Sequence, residues 1–346
     1  MLSEFIVRYL PIVILLFLGF TVWTRRKLVS IPFYISAFLC VVMILAITAL
    51  PDDYSIDKPR YIRLFRNSYL WGMPDEYKDP GWIYYVTHSA KYLNNNVTLF
   101  FLITASVYVF SYLIFARHYF KKDSFYFIVM SMGCLGFGAY ATNTIRAGFA
   151  ISFMMLAFVF RKKIFMLPLM FCAVMLHRSM IIPALGFIIT EFINKKWIFC
   201  LIWLFCFVLS VTNVDISSFL EEFHFVDYRI EASMESIELY KKGFRLNFLI
   251  YSIIPLLISF YNIFKYDIQD KLLQRMVNTY LLANAVWLLA IRIHYSDRLA
   301  YLSWFLIPFI TLYPVLKYKD KYNNPNRLVI GIMSIFMGLD LVLMLT

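Results

Sequence analysis

The residues able to do chemistry are a small set of arginines, histidines and carboxylates at the edges of apolar stretches. Asn143-Thr-Ile-Arg146-Ala-Gly-Phe-Ala150 opens one apolar run, which ends at Arg161-Lys-Lys163. A second run follows and closes with His177-Arg178-Ser179. Arg292-Ile-His294-Tyr-Ser-Asp297-Arg298 lies between two later runs. Arginine presents a planar fork of donors that grips phosphate or diphosphate and keeps its charge. Histidine moves a proton near neutral pH, and an outer carboxylate such as Asp53 or Asp79 can orient it or act as the base itself. Arg146, Arg178, Arg292 and Arg298 are therefore candidates for an anionic ligand, and His177, Asp53 and Asp79 for proton transfer. His294-x-x-Asp297 is half a metal site at most, and neither a metal nor a cofactor is expected. A Gly-rich phosphate loop, His-Glu-x-x-His and Gly-x-Ser-x-Gly are all missing from the sequence.

The spacing fixes the depth of these groups. The basic triplet Arg161-Lys-Lys163 makes a turn between two membrane helices and stays at the interface. Arg146 lies fifteen residues before Arg161, and His177 fourteen after Lys163. At the helical rise both stand about 21–23 Å above that turn. The hydrocarbon slab is about 30 Å thick, so both stop just inside the opposite face. Arg292, seventeen residues after Arg275, reaches about 25 Å by the same count. A buried arginine in a membrane segment is costly and marks a functional site by default. The competing reading is a slightly short helix whose Arg146 snorkels outward.

The elements that must position these groups are membrane helices. The chain has 346 residues, 62% of them hydrophobic, and a mean hydropathy of +0.70. That balance excludes a soluble domain of this size and defines an all-α polytopic integral membrane protein. Twelve apolar spans are read near 5–24, 31–50, 97–116, 124–141, 147–160, 164–177, 179–193, 197–213, 246–264, 277–293, 299–316 and 328–345, forming a single membrane domain over 1–346. Alternate connections carry basic clusters, among them Arg25-Arg26-Lys27, Arg161-Lys-Lys163 and Lys195-Lys196. By the positive-inside rule that side is cytoplasmic and both termini lie outside. The first span is too long for a signal peptide and lacks a cleavage site. Net charge is +12, but the basic residues sit between apolar runs, so nucleic acid is not the expected partner. The five cysteines fall in apolar runs without ligand spacing and read as core residues.

Two long loops face the outside. In the first, 51–96, Lys58-Pro-Arg60-Tyr-Ile-Arg63-Leu-Phe-Arg66 sets basic residues on one side and Ile62, Phe65 and Tyr69 on another. This suits a short helix on the membrane surface, or equally an ordinary solvated one. Asp79-Pro80-Gly81-Trp82 then turns into a second short helix carrying Trp82, Tyr85 and His88. The second loop, 214–244, is acidic early and basic late; it reads as a solvated segment or as a lid.

The order Asp53-Tyr54 with Tyr61, then Asp79-Pro-Gly-Trp82, then Asn143-x-x-Arg146-x-x-x-Ala150, then His177-x-Ser179 resembles the EpsG/Wzy family of polytopic polysaccharide polymerases. The resemblance runs from about Leu50 to Glu191, with a looser echo from Tyr295 to Tyr301. Ala147 stands where the family often has glutamine, and Met180 where it often has alanine. The resemblance implies a GT-C-like repeat-unit polymerase for O-antigen, capsule or exopolysaccharide, working at the outer face of the bacterial inner membrane. It implies undecaprenyl-diphosphate-linked oligosaccharides as substrates, and a flippase and a chain-length regulator of the same pathway as partners. Arg146, Arg178 and Arg298, with Arg292, would hold the diphosphate; Tyr54, Trp82 and Asn143 would line the substrate site. His177, Asp53 or Asp79 would take the acceptor proton. A lipid-linked oligosaccharide flippase, a membrane sugar O-acyltransferase and a purely structural membrane subunit remain alternatives. The first should carry polar groups along a path through the bilayer, and the second should carry them toward the cytoplasm.

Overall fold

The computed structural model describes residues 1–25, 28–71, 79–160, 162–193, 195–212, 243–292 and 296–345. Every regular element among them is helical. The second loop's lid reading, His294 and the stretch 72–78 lie outside the described residues. The chain forms two compact units, Met1–His177 with Asn326–Leu341, and Arg178–Pro325 with Val342–Thr346.

The first unit opens with α1 (Leu2–Arg25) and α2 (Phe33–Thr48), then two short helices, α3 (Lys58–Trp71) and α4 (Pro80–Tyr92). It continues through α5 (Val97–Phe120), α6 (Ser124–Met132), α7 (Leu135–Thr142), α8 (Ile145–Val159) and α9 (Lys163–Leu176). Lys58, at the start of α3, donates from Nζ to the Leu50 carbonyl just past α2, with Asp52 at 3.9 Å. Burial pushes the Lys58 ammonium below its usual pKa, and Asp52 offsets part of that. The apolar face of α3 is spent inside the protein: Phe65 is fully buried and its ring lies 4.6 Å from that of Phe100 on α5. Tyr69, expected on the same face, is exposed.

The α4–α5 connection is a tight helical hairpin. Asn94 and Asn95 adopt positive φ of 47° and 60°, a conformation asparagine tolerates better than most residues. Asn96 then caps α5 by accepting the Leu99 N–H at 3.1 Å. The chain reverses, and the Tyr85 hydroxyl meets Thr104 Oγ1 at 2.8 Å. So α4 runs back along α5.

Val97–Met132 is one helical stretch of 36 residues with an apolar window long enough to span, yet it is two antiparallel segments that part at Lys121-Lys122-Asp123. Lys121 at φ 50° turns the chain. The rings of Tyr112 and Phe127 stack with centroids 6.5 Å apart, where a continuous helix would separate them by about 22 Å. A second reversal follows, with α7 and α8 inclined at 118°. That corner has no room for a side chain at Gly148, whose Cβ would collide with the Tyr140 carbonyl.

The second unit comprises α10 (Ile181–Phe192), α11 (Lys196–Val211), α12 (Leu246–Lys265), α13 (Lys271–Leu289), α14 (Asp297–Trp304) and α15 (Ile307–Lys317). Its middle is α13, which touches each of the other five. Asn284 on α13 is a buried polar hub. It donates to Ser252 Oγ at 3.2 Å and Ser303 Oγ at 3.1 Å, and accepts from Trp203 Nε1 at 2.9 Å. Such a satisfied network fixes which helix faces meet. At the basic end Asp270 caps α13, accepting the Leu272 and Leu273 amides, and takes Lys317 Nζ at 2.8 Å. Burial pushes the Asp270 carboxyl up, but Lys317, the Leu273 amide and Tyr318 outweigh it and hold the group below its usual pKa. The last helix, α16 (Pro325–Leu345), returns to the first unit, where Met337 fills the space beside Gly133.

Among the described residues, five helices can cross a membrane by length and composition, or six if the bent pair α7–α8 counts as one span. The twelve apolar spans of the sequence all coincide with helices, but several are too short or too broken to qualify alone. The fourth breaks at Gly133–Cys134 between α6 and α7; the eleventh is interrupted at Phe305–Leu306 between α14 and α15 and still counts, as Asp297–Lys317, among the five.

Candidate active site

Three segments far apart in sequence converge in the first unit. Asp79 precedes α4 at its N-cap position, yet its side chain makes no capping bond. Instead Asp79 Oδ2 takes Arg146 Nη1 at 2.7 Å, with both side chains under a tenth exposed. Arg146 is the second residue of α8; its backbone N–H points to the Tyr61 hydroxyl at 3.4 Å. His177 ends α9 in an extended conformation. Its Nδ1 lies 3.7 Å from the same carboxylate oxygen and has no hydrogen-bond partner. Arg146 therefore does not snorkel outward: it is held inside by a carboxylate.

Close backbone approach makes this convergence possible. Gly81, two residues after Asp79, lies against the end of α9, where a Cβ would fall 2.8 Å from the Met175 carbonyl carbon. Backbone cannot yield as a flexible side chain can. The ring of Trp82 is fully buried beneath the cluster, between Tyr61 at 5.8 Å, Tyr85 at 5.6 Å, and Phe100 and Phe149 at 6.3 Å each. It braces α4 through edge-on and tilted ring contacts.

A buried ion pair is weak evidence of stabilisation, because desolvation of two charges consumes most of their attraction. Here the pair shares its carboxylate with a histidine whose Nδ1 is unengaged. Chemically the set offers a proton acceptor, a carboxylate able to stabilise the imidazolium that results, and a guanidinium suited to phosphate oxygens.

The remaining sequence candidates are placed as follows. Asn143 sits at the α7–α8 corner and donates from its backbone to Ala139. Asp53 is exposed in the turn after α2, and the Tyr54 hydroxyl accepts Arg8 Nε at 2.8 Å. Ser55 ties that turn to the same corner through the Thr142 carbonyl at 2.8 Å. In the second unit Arg178 opens a short 3-10 turn, Arg178–Met180, that packs against α14, the helix carrying Arg298. Both arginines are half-buried. Arg292 reaches the Ser210 carbonyl at the end of α11, at 3.4 Å from Nε and Nη2, and its guanidinium lies 5.1 Å from the Phe244 ring. Asp297 faces Arg245 at 3.7 Å. Among the described residues no three His, Cys, Asp or Glu gather as a metal site would.

Sequence reasoning held Asp79 as one of three proton-transfer candidates and did not pair it with Arg146. The signal lay in Asn94-Asn95-Asn96: three asparagines between two apolar helices mark a tight reversal, which sends α4 back along α5 and Asp79 toward the bundle.

A chain whose described elements are all helical, with several helices apolar enough to cross a bilayer and a buried ionic cluster, is a polytopic membrane protein. The model of the EpsG family matches residues 33–346. This chain belongs to the EpsG family, which is associated with glycosyltransferase-like polymerase activity in polysaccharide biosynthesis. No curated protein and no solved structure matches it.

Proposed function

We propose that this protein is a repeat-unit polymerase of the bacterial inner membrane. It joins oligosaccharides carried on undecaprenyl diphosphate at the outer face, building O-antigen, capsule or exopolysaccharide. The observation that carries this reading is the Asp79–Arg146 ion pair with His177 at 3.7 Å from the shared carboxylate oxygen, inside the family match. The counted depth of Arg146 and His177 puts the cluster near the outer boundary, where a lipid-linked diphosphate lies. The full reading is a GT-C-like bundle of twelve crossings with both termini outside.

In this mechanism His177 Nδ1 takes the proton of the acceptor hydroxyl as that oxygen bonds to the anomeric carbon of the donor. The bond from this carbon to the diphosphate oxygen breaks, and its electron pair leaves with undecaprenyl diphosphate. Arg146 stabilises the charge on the departing diphosphate. Asp79 orients Arg146 and stabilises the imidazolium formed at His177.

Deleting the protein is expected to leave cells that display single repeat units and no polymer on their surface glycolipid. Loss of even the single unit would identify a flippase instead. Gly81→Ala is expected to push α4 off α9 and displace Asp79. A misplacement of about 1 Å costs on the order of a hundredfold in rate, so polymer length should fall sharply at an unchanged protein level. Normal polymer from Gly81→Ala would mean that the α4–α9 approach does not set the site.

A further inference from the structure

Beside the cluster lies a cleft of about 490 Å³ enclosed by α4, α5, α8 and α9, within the usual range of about 300–1,000 Å³ for small-ligand sites. We propose that this cleft takes the isoprenoid chain of the lipid carrier, at the end nearest its diphosphate. The inference rests on the polymerase reading above.

Continuity with the ionic cluster is the first argument. Gly81 and Leu176 line the cleft; they stand two residues from Asp79 and one from His177. Phe149, one helical turn after Arg146, forms part of the wall. An amphiphile whose head reached Arg146 would therefore have its first chain segment in the cleft.

Wall chemistry is the second. Ile103, Phe149, Phe153, Met175 and Leu176 offer no hydrogen bond. Two of the polar side chains that line the cleft are engaged within the protein. Tyr85 bonds Thr104 at 2.8 Å, and His88 Nδ1 meets the Tyr84 carbonyl at 2.9 Å. Tyr84, His88 and Tyr92 form an aromatic file along one side of α4, with ring centroids 3.8 and 6.3 Å apart. A sugar would leave its hydroxyls unsatisfied against such walls, at a cost per group that an apolar chain escapes. The cleft is also open at its rim, where Tyr84 and Tyr92 are 66% and 78% exposed. A chain longer than the cleft can leave there and run along the exposed apolar face of α9, past Phe171.

The test uses the purified full-length protein in phospholipid nanodiscs and a polyprenyl diphosphate bearing a diazirine near its head. Cross-links are expected on α4, α5, α8 and α9 peptides, including those with Ile103 and Phe153. Undecaprenyl diphosphate should suppress them and excess phospholipid should not. Cys172→Trp, which fills the cleft from an exposed wall position, should weaken labelling by about tenfold; Cys172→Ser, close in size, should leave it unchanged. Labelling outside these helices, equal suppression by phospholipid, or indifference to Cys172→Trp would each overturn the chain site. Loss of polymer on gene deletion together with labelling elsewhere sinks this inference alone. Labelling in the cleft together with normal polymer on deletion sinks the polymerase reading instead.

Discussion

Arg146→Ala is expected to reduce the product to single repeat units, and on its own to weaken the fold as well. The two effects have different causes. Depth in the bilayer by itself suggests that truncating a buried arginine should ease insertion. The 2.7 Å contact to Asp79 reverses that expectation, because the substitution strands a carboxylate that is under a tenth exposed. Breaking a buried pair from one side costs about 3–5 kcal/mol, so the amount of folded protein should fall. The double variant Asp79→Asn/Arg146→Ala removes both charges and should restore much of the protein level. Its product should remain the single unit, since removing one preorganised charge-stabilising donor costs on the order of a hundredfold to a thousandfold in rate. Arg146→Lys keeps the charge without the planar fork and should give short polymers, above Ala and below wild type. Polymer length, read on gels at matched protein level, separates these cases. Recovery of full-length polymer in the double variant would make Arg146 a structural residue only.

His177→Gln should leave the protein stable and stop the chemistry. His177 Nδ1 has no hydrogen bond to lose, and glutamine has a similar reach without a transferable proton. Loss of a positioned general base typically costs about a hundredfold to ten-thousandfold. Because the proton comes from the acceptor, the effect should fall on kcat, with the KM for the lipid-linked donor close to wild type. An equal fall in donor affinity with kcat unchanged would move His177 from proton transfer to donor binding.

Part of the site's grouping was legible in the sequence. Counting from Arg161-Lys-Lys163 placed Arg146 and His177 at one level, and the structure brings both to a single carboxylate oxygen. The two fall level because neighbouring helices joined by a short turn rise from it at the same rate per residue. The third member could not be read from spacing along one helix, because its position depends on the tertiary reversal at Asn94-Asn95-Asn96. Asp79 comes to the cluster only because α4 doubles back at Asn94-Asn95 and Gly81 lets it touch α9. Trp82 has the aromatic character expected of a sugar-contacting surface, but that character is shared by core residues, and here the ring is fully buried. Arg292, a candidate for an anionic ligand, has a helix-end carbonyl as its neighbour. Helix breaks escaped the hydropathy pattern for a related reason: Gly133–Cys134 and Phe305–Leu306 are as apolar as the helices they interrupt.

The central claim is that this one protein joins lipid-linked oligosaccharides using the Asp79–Arg146–His177 cluster. Its most direct test is reconstitution. Purified wild-type protein in liposomes would receive, as sole substrate, lipid-linked oligosaccharide extracted from cells lacking the protein, with no nucleotide sugar and with chelator present. The expected result is a ladder of products rising by one repeat unit per step, with undecaprenyl diphosphate released in proportion. Asp79→Asn/Arg146→Ala, equally folded, should give the starting unit alone. A wild-type reaction that leaves the units unjoined, or a double variant that builds the same ladder, would contradict the account.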